Sequence, residues 1–322
     1  MTEVVLGIDI GGTNTKFGFV DREGNLLCDY SISTAVHKTI DSYLQSLTNN
    51  IEKALNEINQ DINFIGIGIG APNGNYYRGT IEHAPNLNWK GVVNFVKKLK
   101  EHYSLPMAIT NDANAAAIGE MIFGGAKSMK NFIVITLGTG LGSGFVIDGK
   151  IVYGHDGFAG ELGHVTVKAN GRFCGCGQRG CLETYVSATG IKRTIYKLLA
   201  DHNGQSRLSG VSFNDLTAEM ITDAARDGDP IALEAFEYTG NILGMELADT
   251  IILTSPEAIF LLGGLAKAEE CIFEPTHRHM ENSLMPIFKN KVKLLPSGLH
   301  EKNAAILGSA ALIWHEIDKN PI

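Results

Sequence analysis

The sequence predicts an α/β protein of two domains, and three observations carry that expectation. Short apolar runs alternate with longer stretches of helical spacing along the whole chain, the pattern of sheets covered by helices. At 322 residues and 44% hydrophobic, the chain exceeds one ordinary core and suits two. A β-rich unit also recurs. "LGIDIGGTNTKFGFVDREGNLL" from Leu6 and "VITLGTGLGSGFVIDGKIV" from Val134 each read strand, Gly/Thr turn, strand, Asp-containing turn, strand. Duplicated halves facing each other would leave a cleft, a natural ligand site.

The apolar runs expected as buried strands are Val4–Ile8, Phe64–Ile69, Met107–Ile109, Phe132–Thr136, Gly144–Ile147, Ile259–Leu262 and Val292–Leu295. Helical spacing marks Thr39–Asn59, Val92–Glu101, Ala113–Phe123, Ser187–Ala200, Leu216–Arg226, Pro230–Thr250 and Ala304–His315. The first domain is expected over residues 1–112 and the second over 113–303. A final helix, about 304–316, is expected to return to the first domain.

Charge argues against a general nucleic-acid binder. Lys and Arg number 27 against 35 Asp and Glu, a net of −8, whereas such binders carry a basic face. No apolar run reaches the roughly 18 residues of a membrane helix. The N-terminal Met1-Thr2-Glu3-Val4-Val5 shows no basic region or cleavage site, so a cytoplasmic protein is expected. Cytoplasmic thiols stay reduced, which favours metal over disulfide for clustered cysteines. Cys28 and Cys271 stand alone and read as bystanders. Glycine is frequent, 37 residues against an average usage of ~7%, and it gathers at the ends of apolar runs.

Two of those glycine clusters follow strands: "DIGGTNTK" (Asp9 to Lys16) and "LGTGLGSG" (Leu137 to Gly144). Glycine turns let successive N–H groups point at one anion, and Thr13 and Thr139 add hydroxyls. Asp9 could orient a hydrated magnesium ion. Neither turn is a P-loop or opens a helix as a dinucleotide fingerprint does, because strands follow both. The alternative is two hairpin turns that need glycine for geometry. "FLLGGLAK" (Phe260 to Lys267) supplies a third Gly pair, Gly263 and Gly264, after a strand. In "ITNDANAAAIGE" (Ile109 to Glu120), Asn111 and Asp112 stand between a strand and an Ala-rich helix. One reading is a helix cap; the other is a carboxylate at a strand's end, suited to take a proton from an alcohol.

Three of the five cysteines lie within eight positions. His164, Cys174, Cys176 and Cys181 offer one nitrogen and three sulfurs, suiting tetrahedral zinc in a loop spanning 164–181. Four protein ligands close the shell, so the ion is expected to be structural. A nucleic-acid finger is disfavoured, since no paired second half follows. Glu161 and Glu183 flank the loop.

In this order the motifs match a family. "DIGGTNTKFG", "NDANAAAIGE", "TLGTGLGSG", "GELGHV" leading into "CGCGQRGCLE", and "LLGG" make the chain resemble the ROK sugar kinases nearly end to end. "HAPNLNWKG" and "CLETYVSATG" resemble its bacterial glucokinase branch. The resemblance implies a two-domain actin-like ATPase (ribonuclease H-like) fold with an interdomain cleft and a small zinc-binding loop. It implies ATP, Mg2+ and a structural Zn2+, a hexose phosphorylated at its 6-hydroxyl with glucose foremost, no nucleic-acid or membrane partner, and a homodimer. Asp112 matches the general base. Asn86, Asn111, Glu161, His164 and Glu183 match sugar ligands, with His164 shared between sugar and zinc. Asp9, Gly11, Gly12, Thr13, Lys16, Gly138, Thr139 and Gly140 fall on the phosphate side, and Gly263 and Gly264 match the adenosine side.

The chain departs from the family's pattern after "GIGIGAP", where Asn73-Gly74-Asn75 replaces a frequent glycine. In the family this loop lies near the sugar, so N-acetylglucosamine, N-acetylmannosamine or fructose are alternative substrates. A sugar-responsive ROK repressor and a non-catalytic sugar sensor are the remaining alternatives. The repressors carry an N-terminal helix-turn-helix, for which a first strand at Val4 is expected to leave no room.

Overall fold

The computed structural model describes residues 1–202, 206–299 and 303–319. They form two compact units. The first comprises Met1–Met129, Ile151–Ala159 and the chain from Gly298 onward; the second comprises Lys130–Lys150 and Gly160–Ser297.

The first unit begins with an antiparallel meander of β1 (Thr2–Ile10), β2 (Asn14–Asp21) and β3 (Leu26–Ser33). Helix α1 (Ile40–Glu57) is capped by Thr39, whose hydroxyl accepts from the Ser42 N–H. Its apolar stripe of Tyr43, Leu44, Leu47, Ile51 and Ala54 is buried. The chain then enters β4 (Ile62–Gly70), parallel to β1. A small sheet follows, built from β5 (Gly74–Asn75), β6 (Thr80–Glu82) and β7 (Val92–Val93). Then come α2 (Phe95–Leu99), β8 (Met107–Thr110) and α3 (Asp112–Ile122). The five-stranded sheet runs β3-β2-β1-β4-β8.

A terminal helix, Ala304–Lys319, packs on β1, β4 and α3. It belongs to the first unit. Gly7 and Gly68 are register partners in β1 and β4. A side chain at either would collide with the helix backbone, at Ile306 and Ser309 respectively. The missing side chains are what allow helix and sheet to close up.

The second unit repeats this plan. Strands β9 (Phe132–Leu137), β10 (Leu141–Ile147) and β11 (Lys150–Ile151) come first. Helices α4 (Ala188–Asp201), α5 (Ala218–Arg226) and α6 (Pro230–Thr254) follow. The chain ends its sheet with β12 (Ala258–Leu262), α7 (Glu270–Ser283) and β13 (Lys293–Pro296). The order is β11-β10-β9-β12-β13, with β10 antiparallel to β9 and β12 parallel to β9 and β13. The duplication read from two peptide stretches is thus a duplication of sheet topology.

Three differences from the sequence reading have physical causes. Val92–Glu101 is not one helix: Val92 and Val93 pair with Glu82 and Ile81, as β-branched residues favour, and α2 begins only after Asn94. Helix α7 was hidden by Pro275 inside it, which would ordinarily break a helix; here its ring rests against Gly240 of α6, where no side chain intrudes. The compact units divide first at residue 129, not 112, because α3 packs on the terminal helix of the first unit. The expected limit of the second domain at 303 follows residues 300–302, which lie outside the described residues. Among the described residues no helix is long and apolar enough to cross a membrane.

Candidate functional site

The candidate residues divide between the two units. Asp9, Gly11, Gly12, Thr13, Lys16, Asn86, Asn111 and Asp112 lie in the first. Gly138, Thr139, Gly140, Glu161, His164, Cys174, Cys176, Cys181, Glu183, Gly263 and Gly264 lie in the second.

In the first unit the turn between β1 and β2 is a tight hairpin, closed by Gly11 N–H donating to the Asn14 carbonyl at 3.0 Å. The hairpin and anion-cradle readings are therefore compatible: the turn is a hairpin, and Thr13 stands exposed at its tip. Gly12 is needed for close approach, since a Cβ there would meet the Asn86 carbonyl. This contact brings the loop carrying Asn86 against the Gly11–Thr13 turn.

Asp9 and Lys16 face each other in the β1–β2 register. Burial and the nearby Asp112 push the Asp9 carboxyl up to about 6, with Lys16 opposing. A buried carboxyl raised by burial and by a second carboxylate nearby suits a divalent cation, which would relieve both effects. Asp112 opens α3. Its side chain is reached by solvent, yet protein crowds it enough that lost hydration pushes its carboxyl above the usual range, against the pull of the Ala113 N–H. Its Oδ1 accepts that N–H at 2.9 Å. Asn111 is the helix cap, its Oδ1 accepting from Asn114 N–H at 2.6 Å. The cap reading thus holds for Asn111, and Asp112 stands one residue further in.

A buried hydroxyl cluster that the sequence reading missed braces this turn. Thr15 Oγ1 lies 2.8 Å from both Thr34 Oγ1 and the Tyr43 hydroxyl. Thr34 and Ala35 N–H groups donate to the Thr13 carbonyl. Tyr43 packs against Trp89 at 4.5 Å between ring centroids, and Asn88 Nδ2 donates to the Ala35 and His37 carbonyls. No local spacing signals this cluster, because its members come from β2, the residue after β3, and α1.

The unusual Asn73-Gly74-Asn75 is largely committed to structure. Asn73 adopts φ 51°, and its Nδ2 donates to the Glu82 carbonyl. Asn75 is fully buried. Its Nδ2 donates to the Asp156 carbonyl at 2.7 Å, and its Oδ1 accepts from Tyr77 and Arg78 N–H groups. Both hydrogen-bonding ends of Asn75 are thereby engaged.

In the second unit the β9–β10 turn is also a hairpin, with Gly138 N–H donating to the Gly140 carbonyl. Thr139 is exposed at its tip. Gly263, at φ 107°, lies so close to β9 that a side chain there would collide with Leu137. The Gly263-Gly264 turn thus sits beside the Gly138–Gly140 turn.

The cysteine loop is stapled at both ends. A short 3-10 turn, Leu162–His164, carries His164, and a second, Leu182–Thr184, carries Glu183. Leu182 N–H donates to the Val165 carbonyl, joining the ends. Arg172 holds the loop to α4. Its Nη1 donates to the Thr184 and Gly190 carbonyls at 2.8 and 3.0 Å, and Nη2 to Thr194 Oγ1.

His164, Cys174, Cys176 and Cys181 bring one ligand atom each to within 4.8 Å of one another. Tetrahedral zinc with bonds of about 2.0–2.3 Å requires ligand atoms roughly 3.5–3.8 Å apart. Cys174 Sγ lies 3.6 Å from His164 Nδ1, and Cys176 Sγ 3.7 Å from Cys181 Sγ. The cluster therefore fits zinc, and Nδ1 is the nitrogen on the metal side. The other nitrogen, Nε2, lies 4.0 Å from Glu161 Oε2. A metal on Nδ1 would fix the direction of Nε2.

The chain is 36% identical over 285 residues to a glucokinase of Halalkalibacterium halodurans, covering 87% of this chain and 86% of that one. It is 31% identical to the xylose repressor of Bacillus spizizenii, covering 97% of this chain and 78% of the repressor. The crystal structure of a ROK family glucokinase from Streptomyces griseus, in complex with glucose and AMPPNP, superposes with a TM-score of 0.81 at 31% identity. That match covers 96% of this chain and 98% of that one. The sequence profile of the ROK family matches residues 5–316, and the chain belongs to that family.

Proposed function

We propose that the protein is an ATP-dependent hexose 6-kinase acting on glucose. The observation that carries the reading is Asp112, a solvent-reachable carboxylate of raised proton affinity, in the unit that also holds the Gly11–Thr13 turn. A carboxylate with a raised pKa is a better proton acceptor than an ordinary aspartate. Asp112 takes the proton from the sugar's 6-hydroxyl as that oxygen attacks the terminal phosphorus of ATP, whose bond to the bridging oxygen breaks to release ADP. Asn86, Asn111, Glu161, His164 and Glu183 hold the remaining hydroxyls. The amides and hydroxyls of Gly11–Thr13 and Gly138–Gly140 receive the phosphates, and Gly263-Gly264 lies along the adenosine. Asp9, with Lys16 opposite, would hold the magnesium ion that accompanies ATP; when bound, that ion offsets phosphate charge. His164, Cys174, Cys176 and Cys181 would hold one zinc ion, which supplies rigidity and no reacting group. A homodimer and a cytoplasmic location complete the proposal on the strength of the family resemblance.

The repressor relative supports a second reading, a sugar-responsive regulator without turnover. One assay separates them: ADP release with Mg-ATP and glucose, mannose, fructose, N-acetylglucosamine and N-acetylmannosamine. Turnover highest on glucose is expected; none on any sugar sinks the kinase reading. Asp112→Asn should fold normally, by circular dichroism and melting temperature, and lose about 10²–10⁴-fold in kcat.

A further inference from the structure

We infer that Glu183 is a positioning residue for the second phosphate turn, Gly138–Gly140, and ties the shape of that turn to the cysteine loop. The inference rests on the nucleotide reading of that turn. Glu183 Oε2 accepts the N–H of Leu141, the first residue after the turn, at 3.2 Å. Gly140 makes room for this: a side chain there would collide with the Glu183 carboxylate. At the turn's other end Ala188 N–H donates to the Gly138 carbonyl at 2.9 Å. Both bonds come from the segment that follows the last cysteine.

That segment is itself set by the cysteine loop. Cys181 caps the 3-10 turn carrying Glu183, and its carbonyl accepts from Thr184 N–H and from Thr184 Oγ1 at 2.7 Å. Glu183 Oε1 points the opposite way, 3.1 Å from Cys174 Sγ and 4.0 Å from His164 Nδ1. On the near side, Gly163, beside His164, packs so closely on the Leu141 carbonyl that no side chain fits. Both flanks of the four-residue cluster therefore bear on the turn. Glu183 serves the donor phosphates as well as the sugar, and a metal-filled loop stiffens both.

The test is binding in the absence of sugar, by calorimetry, with Mg-AMPPNP and with adenosine, which has no phosphate for the turn to hold. Glu183→Ala should bind AMPPNP about tenfold more weakly and adenosine as wild type does, since the Leu141 N–H loses its acceptor. Glu183→Gln keeps an acceptor oxygen and should hold AMPPNP within about twofold of wild type. Zinc content should stay at one per chain in both, as Glu183 is outside the four ligands. Unchanged AMPPNP affinity in Glu183→Ala overturns the inference and leaves the kinase reading intact. Equal losses for AMPPNP and adenosine also overturn it, because they report general damage. A wild-type protein that binds no AMPPNP overturns the nucleotide reading and this inference together.

Discussion

The two glycine turns occupy equivalent places in sheets of equivalent order, yet they are braced by different means. The first rests on the interior of its own unit: Thr15, Thr34 and Tyr43 share buried hydroxyl contacts beneath it. The second has no such cluster among the described residues; Glu183 and Ala188, downstream of the cysteine loop, hold its ends. One step back from each turn the contrast continues. The first sheet places Asp9 opposite Lys16, and the second places Thr136 opposite Gly142, whose N–H donates to the Thr136 hydroxyl. The two units share their strand order, while the charged pair stands in one and the cysteine loop in the other.

Metal removal is the strongest way to test this contrast. Chelation should raise the glucose KM and the AMPPNP Kd on the order of tenfold, before global unfolding. Hydrogen exchange should rise around Gly138–Leu141 and stay flat around Gly11–Asn14. Equal loss of protection at both turns would break the comparison.

A smaller effect is expected at Asp9. Its folded pKa, about 6, exceeds the reference 3.8. Between these values the native state holds more protons than the unfolded chain, so stability from this group falls as pH rises from about 4 to 6. Asp9→Asn should therefore stabilise the metal-free protein at pH 7.5 by about 3 kcal/mol and have little effect near pH 4. Denaturant melts at the two pH values measure it. A stabilisation independent of pH would point to packing instead.

The smallest effect belongs to Tyr43→Phe, which removes one buried hydroxyl contact. A loss of about 1 kcal/mol in stability is expected, with AMPPNP affinity changed less than about twofold. A larger loss of affinity than Glu183→Ala would show that the first turn depends on its brace as much as the second.

Legibility followed locality. The cysteine cluster was readable because its ligands lie between His164 and Cys181, and the side-chain distances fit zinc. The duplicated sheets were readable because strand–turn–strand units repeat within short peptides. Helix α7 was not, because Pro275 is tolerated only through its packing on Gly240, a partner 35 positions away in sequence. The hydroxyl cluster and the Leu141–Glu183 bond were hidden for the same reason. The commitments of Asn75 were hidden likewise: its side-chain amide bonds to Asp156, Tyr77 and Arg78, and the first of these partners lies 81 positions away.

The terminal helix also sets an order of events during synthesis. It lies across β1 and β4, strands made near the start, and it is the last described element to leave the ribosome. Until it emerges, the glycine-lined face around Gly7 and Gly68 has no cover, and β1 is largely apolar from Val4 to Ile10. The first unit therefore has to wait for residues some 300 positions downstream before it can close. Nascent chains of the first half would be natural clients for chaperones, and chains cut short before Ala304 would be prone to aggregate.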